Sequence, residues 1–342
     1  MITKDESMRL KGVAILMMLF LHLFNTGERI DLCTPLLCVG KYPLAHLLSR
    51  IGALCVPIYI FLSGCGLHYV YQQTEGKNMR RGNRILRLYT NYWIIFLLFI
   101  PLACWVNPAE YPESLTTLLL NFTALSYSYN EEWWFLLPYM VLVGVCPSII
   151  RLVHRLNVRQ TLGCGLALMV LYLALEPLRG LIPLFPGKDF LFSLASLLFP
   201  FFAGIASAYR HSLSRFRSYV EQHWGGRKNL YLWTTLAVFL LLRVVIKTGS
   251  LNAVYGVIFI FLFTATDRTS IVNSILAYFG GHSTNMWLTH TFFSWYLFAE
   301  YVYGLHYPPL IFAALVAISL ATSYVVRALY TPLQKRIVRL PF

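Results

Sequence analysis

Two histidines lie in segments that are apolar enough to enter a lipid bilayer. His22 is near the end of 11-KGVAILMMLFLHLFN-25, and His290 ends the segment 280-GGHSTNMWLTH-290. Titratable residues inside membrane spans are costly, and by default they indicate function. A neutral imidazole there can accept a proton from a bound hydroxyl, which makes both histidines candidate catalytic residues. The alternative for either ring is a hydrogen bond to a neighbouring helix that serves packing alone.

Lys11 precedes His22 by eleven residues on the same predicted helix. At about 100° per residue, eleven residues complete three turns plus about 20°, so both side chains point the same way. Their separation along the axis is about 16 Å. The spacing predicts Lys11 at the cytoplasmic membrane surface and His22 near the middle of the bilayer.

A basic segment, 80-RRGNRILRLY-89, precedes the third apolar segment. Arg80 or Arg81, together with Arg84 and Arg87, recurs at helical spacing on one side of the predicted helix. Each guanidinium presents a fixed fork of donors that suits phosphate oxygens, so several together can hold a polyphosphate ligand. The alternative is ordinary anchoring of the topology, or attraction to anionic lipids.

Three weaker signals accompany these residues. Ser63 begins a Ser-Gly pair in 58-IYIFLSGCGL-67, where small residues admit either a thin ligand or a neighbouring helix. Ser283 lies about two turns before His290 on the same face. The segment 129-YNEEWWFLLPYM-140 supplies Glu131, Glu132 and Trp134 as candidates for binding a hydroxylated acceptor. The sequence shows no metal-ligand spacing.

These residues must be positioned by membrane helices. Charged residues make up 12% of the 342-residue chain and hydrophobic ones 58%, a balance that soluble domains of this size do not show. We predict an all-α membrane protein, with a single domain over 1–342 and about ten transmembrane helices. The predicted spans are 11–26, 50–71, 88–106, 133–153, 161–178, 190–209, 230–247, 250–266, 282–303 and 308–330.

The basic residues predict the orientation of these spans. With the N-terminus inside, 21 of the 28 Lys and Arg residues fall in inner segments, so we expect both termini in the cytoplasm. The net charge of +14 is then mostly a topology signal and does not imply nucleic-acid binding. A signal peptide is the alternative for the first span, although no small-residue cleavage pattern follows it. Cys33 and Cys38, in the first outer loop, would be able to pair if the outside is oxidising.

Taken together, the chain resembles the acyltransferase-3 family of integral membrane O-acyltransferases, in the standalone form without an attached extracytoplasmic domain. The resemblance covers the whole chain in order. The residues that carry it are Lys11 and His22, Ser63 and Gly64, Arg84 and Arg87, Trp134 and Phe135, and Ser283 and His290. The family often has Arg where this chain has Lys11, and an aromatic residue where it has Cys65.

The resemblance implies transfer of an acyl group, usually acetyl from cytoplasmic acetyl-CoA, to a hydroxyl of a cell-envelope glycan or its lipid-linked precursor. Arg80, Arg81, Arg84 and Arg87, with Lys11, would hold the CoA phosphates, and acetyl-CoA would serve as a substrate instead of a resident cofactor. His22 would act as the general base or, as an alternative, as a transient acyl carrier. Ser63 or Ser283 would orient the ring or the thioester carbonyl, and His290 would relay a proton or contact the acceptor.

The expected location is the plasma membrane of a bacterium, with the bilayer, an acyl-CoA and a glycan acceptor as partners. A polysaccharide exporter or flippase of the same architecture is the alternative function. Ten spans and an acidic, aromatic outer loop suit an exporter, but an exporter does not need an arginine cluster paired with a histidine at the reach of a pantetheine arm.

Overall fold

The structure is a computed structural model that describes residues 2–179, 188–246 and 248–337. Residue 247, at the end of the predicted seventh span, and Arg339, one of the basic residues used to predict the orientation, lie outside these ranges. The α-helices are α1 (Lys4–Phe24), α2 (Gly27–Asp31), α3 (Leu44–Ser49), α4 (Cys55–Gln73), α5 (Arg81–Val106), α6 (Leu115–Phe122), α7 (Leu136–Arg155), α8 (Val158–Leu175), α9 (Lys188–Tyr209), α10 (Ser212–Trp224), α11 (Lys228–Val245), α12 (Asn252–Ala265), α13 (Ser270–Thr291), α14 (Ala299–Tyr303) and α15 (Pro308–Ile337).

Short elements join these helices. Two strands, β1 (Cys38–Val39) and β2 (Tyr42–Pro43), form an antiparallel hairpin. A π-helical turn, Phe292–Tyr296, follows α13. The remaining short elements are 3-10 turns at Arg50–Leu54, Glu131–Phe135, Glu176–Arg179, Gly225–Arg227 and Gly249–Leu251.

The predicted all-α membrane architecture is confirmed. Within the described ranges, eight helical segments are long and apolar enough to cross a membrane, and each overlaps a predicted span. The predicted span 250–266 corresponds to a shorter apolar helix, Gly249–Ala265. The eight segments are Lys4–Phe24, Leu44–Gln73, Arg81–Val106, Glu131–Arg155, Val158–Leu178, Asp189–Tyr209, Ser212–Val245 and Pro308–Arg336.

The predicted bounds of the ninth span, 282–303, are wrong. The helix there runs from Ser270 to Thr291 and is followed by the π-helical turn. Its polar residues, including His282 and Asn285, are buried at 3% and 5% exposure. These polar residues lie just past the middle of the helix and interrupt its apolar pattern. A search for apolar runs therefore joined the second half of the helix to the apolar residues after Thr291 and left out the first half. His290 therefore lies in the last turn of its helix, not eight residues from its start.

The chain divides into two compact units. Unit A comprises the described residues within 1–17, 53–79 and 141–281, and unit B those within 18–52, 80–140 and 282–342. In unit A, helices α4 and α9 pack closely. A Cβ added at Gly64 would collide with the carbonyl oxygen of Phe201, and one added at Gly204 with that of Phe61. The glycine of the Ser-Gly pair thus serves helix packing, whereas Gly66 has open space around its Cβ position.

Unit B contains the arginine-bearing helix α5 packed on α15, together with the hairpin and the Glu131–Phe135 turn. An aromatic cluster holds this turn in place: the ring of Trp133 lies 4.8 Å from that of Tyr92 and 5.6 Å from that of Phe292. Cys33 and Cys38 are free thiols in this structure. Burial raises the pKa of Cys33 to about 11, so its thiol stays protonated at neutral pH.

Candidate active site

Three titratable side chains meet in unit B. The Nδ1 atom of His22 lies 2.9 Å from Oε1 of Glu132, and the rings of His22 and His290 are 5.1 Å apart between centroids. His290 is fully buried, and the His22 and Glu132 side chains are 11% and 18% exposed. We refer to these three residues as the histidine cluster. The two histidines that the sequence singled out separately therefore belong to one site.

Each histidine lies in the last turn of its helix, His22 in α1 and His290 in α13. The last turn of a helix leaves carbonyl groups without intrahelical partners and carries the negative end of the helix dipole. A positive charge that forms on either ring is therefore stabilised by its own helix. This placement suits rings that gain a proton during a reaction.

The Glu131–Phe135 turn places the Glu132 side chain beside the two histidines. Its N-cap is Asn130, whose side-chain oxygen accepts a hydrogen bond from the backbone N–H of Glu132 at 3.1 Å. The same oxygen accepts the hydroxyl proton of Thr291 at 2.9 Å, which ties the cap to the end of α13. The sequence forms this turn here because Asn is a preferred cap and the acidic residues that follow favour a helix N-terminus.

Two tryptophans fix the turn further. The indole N–H of Trp287 donates to the Glu132 carbonyl, and that of Trp133 donates to the Leu288 carbonyl, both at 3.0 Å. The backbone N–H of Glu131 donates to the Tyr296 hydroxyl at 2.9 Å. Trp133 is only 2% exposed, so it is a core residue.

The Glu132 contact selects the tautomer of His22. An ionised carboxylate only accepts, so the proton of the neutral ring belongs on Nδ1, and Nε2 carries the lone pair. The approach of Nδ1 to Oε1 is within ion-pair distance but not aligned as a linear hydrogen bond. A carboxylate in this position orients a general base and stabilises the cation that the base becomes.

His290 has a second, separate orienting contact. Its Nδ1 atom lies 2.8 Å from the carbonyl oxygen of Trp287. A carbonyl only accepts, so this nitrogen carries the proton of the neutral ring. Nε2 is then unprotonated, and it is buried with no hydrogen-bond partner among the described residues. A buried acceptor without a partner is costly, and a ligand hydroxyl would satisfy it.

Arg29, which the sequence reading missed, supports the same site. Its Nη1 atom donates to the carbonyl oxygen of His22 at 2.7 Å, and its guanidinium lies 4.6 Å above the ring of Trp295. The bond satisfies one of the carbonyls that the end of α1 leaves unpaired. Stacking on an aromatic face holds the guanidinium in one position.

The predicted arginine cluster lies on α5, also in unit B. Arg80 is the N-cap residue of this helix, in a left-handed conformation with φ of 43°, and Arg81 is exposed. Arg84 donates from Nε to the Tyr139 hydroxyl at 2.9 Å. The Nε of Arg87 is buried and has no hydrogen-bond partner within the described ranges. A guanidinium with an unpaired, buried N–H can donate a charge-assisted hydrogen bond to an anionic ligand.

The remaining candidates are more dispersed. Ser283 is in unit B and is buried at 3% exposure, whereas Lys11 and Ser63 belong to unit A. The Lys11 carbonyl accepts a hydrogen bond from the Tyr59 hydroxyl at 3.1 Å. Trp134 and exposed Glu131 share the turn that carries Glu132. Their predicted roles stay predictions. In the part of the chain that the structure describes, no three His, Cys, Asp or Glu side chains are placed to hold a metal ion.

The sequence suggested Glu132 for acceptor binding but gave no sign that it reaches His22. A distant carboxylate and an imidazole carry no mark of their contact in a single sequence. The local signal in the sequence was 130-NEE-132, because an Asn cap fixes the backbone conformation of the turn that carries Glu132.

Comparison with known protein families gives a match over nearly the whole chain. The family model described as the acyltransferase domain of the acyltransferase-3 family matches residues 9–328. The match includes every residue of the histidine cluster and of the arginine cluster. No curated protein and no solved structure gives a match.

Proposed function

This chain belongs to the acyltransferase-3 family and is a membrane acyltransferase, and from that premise we propose that it is an O-acetyltransferase. The proposed donor is cytoplasmic acetyl-CoA. The proposed acceptor is a hydroxyl of a cell-envelope glycan or of its lipid-linked precursor, in the plasma membrane of a bacterium.

The observation that carries this proposal is the contact between His22 and Glu132 at 2.9 Å. With Nδ1 facing the carboxylate, Nε2 is the basic atom. It removes the proton of the acceptor hydroxyl as the oxygen attacks the thioester carbonyl carbon. The resulting tetrahedral intermediate then collapses, the carbon–sulfur bond breaks, and the proton passes from His22 to the departing thiolate. The products are the acetyl ester and free CoA, so no other reactant is consumed.

Glu132 stabilises the imidazolium that exists between these two proton transfers. General acid–base catalysis of this kind contributes about 10²–10⁴-fold to a rate. We assign the carboxylate to this positioning role, ahead of the acceptor-binding role that the sequence suggested. The exposed neighbour Glu131 and Trp134 stay candidates for the acceptor.

His290 is the proposed second polar contact for the acceptor. Its unprotonated Nε2 lies in the same cluster as the His22 ring and is without a partner among the described residues. It can accept a hydrogen bond from the acceptor hydroxyl, or from a neighbouring hydroxyl of the same sugar. Ser283, on the same helix, is proposed to orient the ring or the thioester carbonyl.

The arginines of α5 are the proposed phosphate-binding residues. Arg84 and Arg87 are three residues apart and so lie on adjacent positions of one helix face. Together with Arg80 and Arg81, they would neutralise the CoA phosphates. The phosphate-binding role of Lys11 stays a prediction from the sequence. The buried, unsatisfied Nε of Arg87 supports this assignment over simple anchoring at the membrane surface, because an anchoring guanidinium keeps its donors in water.

The test is an acetylation assay on membranes that contain the protein, with acetyl-CoA labelled in the acetyl group. We expect label to enter a glycan fraction, and His22→Ala to lower the rate of incorporation by at least about 100-fold. His223→Ala is the matched control, because His223 is an exposed residue of α10 outside the cluster. Unchanged labelling in His22→Ala would refute the catalytic assignment.

A deletion strain separates acetyl transfer from glycan export. If unmodified glycan reaches the cell surface without its esters, the acyltransferase proposal stands. If glycan accumulates inside the cell, the exporter alternative is favoured and the proposal fails.

A further inference from the structure

Unit A contains a cavity of about 330 Å³ that the proposed reaction does not use. Its wall is formed largely by apolar side chains of helices α4, α8, α9 and α12. The aromatic residues of this wall are Phe61, Phe199, Phe202 and Phe261. A cavity with such a wall excludes a purely polar ligand, because burying polar groups without partners is costly.

One end of the cavity is polar and basic. Ser207 lines it and is only 7% exposed, yet its hydroxyl has no hydrogen-bond partner among the described residues. The buried Nε of Arg210 also has no hydrogen-bond partner among the described residues. The Nη2 atom of Arg210 donates to the Leu156 carbonyl at 2.5 Å and to the Thr161 hydroxyl at 2.8 Å. The guanidinium is therefore held in place through Nη2, while its buried Nε–H is left without an acceptor in the described part of the chain. Arg215, which is exposed, completes this end.

The outer wall of the cavity opens toward the surroundings of the protein. Three apolar residues of α8 line it and are strongly exposed, Val158 at 52%, Leu162 at 68% and Leu166 at 56%. Helix α8 lies in a segment long and apolar enough to span a membrane, so exposed apolar side chains on it face lipid. An acyl chain has a sideways route from the bilayer into the cavity.

An apolar wall joined to two guanidiniums and a buried hydroxyl fits an amphiphile with an anionic head. We propose that the cavity binds one anionic membrane phospholipid, with its phosphate on Arg210 and Arg215 and one acyl chain against Phe199 and Phe202. The Ser207 hydroxyl donates to an oxygen of the phosphate or of the adjacent ester. The basic residues are at the end that the charge distribution predicts to be cytoplasmic, where anionic lipid attracts Lys and Arg.

Two glycines of α8 give a matched pair of variants. A Cβ at Gly165 would lie 3.7 Å from the ring of Phe202 and 3.9 Å from that of Phe199, so a larger side chain there projects into the cavity. A Cβ at Gly163 meets nothing within 4 Å. Gly165→Leu fills the proposed acyl-chain site, whereas Gly163→Leu adds the same atoms to the same helix outside it.

The first measurement is native mass spectrometry of purified protein released from detergent with a limiting amount of phosphatidylglycerol. We expect the unmodified protein and Gly163→Leu to retain one tightly bound phosphatidylglycerol. Gly165→Leu should lose at least 10-fold in occupancy. Equal retention by the two variants would overturn the proposal.

The second measurement tests the headgroup and does not depend on a core substitution. Competition between phosphatidylglycerol and phosphatidylcholine should favour the anionic lipid in the unmodified protein. Arg215→Gln should reduce that preference by about 5-fold, the attraction expected of one basic residue for an anionic surface. Arg159→Gln, an exposed arginine of α8 that does not line the cavity, should leave it unchanged. Equal preference in Arg215→Gln and Arg159→Gln would contradict the assigned phosphate site.

Two other amphiphiles are outcomes that would overturn the choice of occupant. A polyprenyl phosphate or a long-chain acyl-CoA that displaces phosphatidylglycerol at equimolar concentration would show that the cavity serves a different lipid. Failure of both to displace it supports a resident phospholipid. None of these results bears on acetyl transfer, so the inference and the proposed function fail separately.

Discussion

The Nδ1 atom of His22 lies 2.9 Å from Oε1 of Glu132, although 110 positions of sequence separate the two residues. His22 ends a helix near the N-terminus, and Glu132 belongs to a short turn before α7. Their contact converts a lone imidazole into an oriented base. The predictions below test this contact, the residues that support it and the helix packing elsewhere in the chain.

Replacing the carboxylate tests the orienting role. Glu132→Gln keeps the shape of the side chain but removes the charge that stabilises the His22 imidazolium. We expect kcat for acetyl transfer to fall by about 100-fold, within the range that general acid–base catalysis contributes, with little change in KM for acetyl-CoA. Glu110→Gln, an exposed residue of the loop before α6, is the control and should retain full activity. A Glu132→Gln enzyme with normal kcat would show that the contact is only structural.

The second histidine should act together with the first. His290→Phe preserves a buried aromatic ring but removes both nitrogens. We expect the rate of acetyl transfer to fall at least about 10-fold, because the acceptor hydroxyl loses its second polar contact. Residues that act as one unit stabilise the same transition state, so their effects are not additive. The double variant with His22→Ala should then be no slower than His22→Ala alone. Losses that simply multiply in the double variant would place His290 outside the reaction.

The arginines of α5 should affect substrate binding more than turnover. Arg87→Gln removes the guanidinium whose Nε is buried without a partner in the described structure. Hydrogen bonds to a charged group contribute about 1.5–3 kcal/mol, so KM for acetyl-CoA should rise by roughly 10-fold or more while kcat stays within a factor of about 2. Steady-state kinetics at varied acetyl-CoA measure both constants. Arg159→Gln is the charge-matched control, and an Arg87→Gln enzyme with the same KM as this control would favour topology anchoring.

The indole of Trp133 should stabilise the turn that carries Glu132. Trp133→Phe keeps an aromatic ring but leaves the buried Leu288 carbonyl without its donor, at a cost of about 1–3 kcal/mol. We expect Tm of the detergent-solubilised protein to fall by several degrees. Trp105→Phe alters a tryptophan that is 79% exposed and should leave Tm unchanged. Equal melting temperatures for the two variants would contradict this role.

Two glycines of α4 should respond oppositely to the same change. Gly64→Ala forces its new Cβ against the Phe201 carbonyl and must push α4 and α9 apart. Overpacking of this kind typically costs about 1–3 kcal/mol. Gly66→Ala places the same methyl in open space and should stabilise the helix by up to about 1 kcal/mol. Thermal unfolding of both variants in one detergent is the measurement. A Gly64→Ala protein as stable as the unmodified one would mean that the helices are free to separate.

Sequence reasoning located most of the membrane helices because the bilayer imposes a length and an apolar character on each span. It misplaced the helix that carries His290, where the polar residues His282, Ser283 and Asn285 interrupt the apolar run. Those residues are buried within the protein, so neighbouring protein groups, not lipid, satisfy them. A hydropathy search assumes a continuous apolar run, and the buried polar residues near the middle of this helix interrupt that run.

The sequence by itself determined the all-α membrane class, the two unusual histidines and the order of motifs that marks the family. These are properties of local composition and spacing, which a chain carries before it folds. Only the tertiary structure decided that His22, Glu132 and His290 meet, that Trp133 is buried, and that Gly64 contacts a neighbouring helix. Such contacts depend on how distant segments pack, and a single sequence records no distance between side chains that folding brings together.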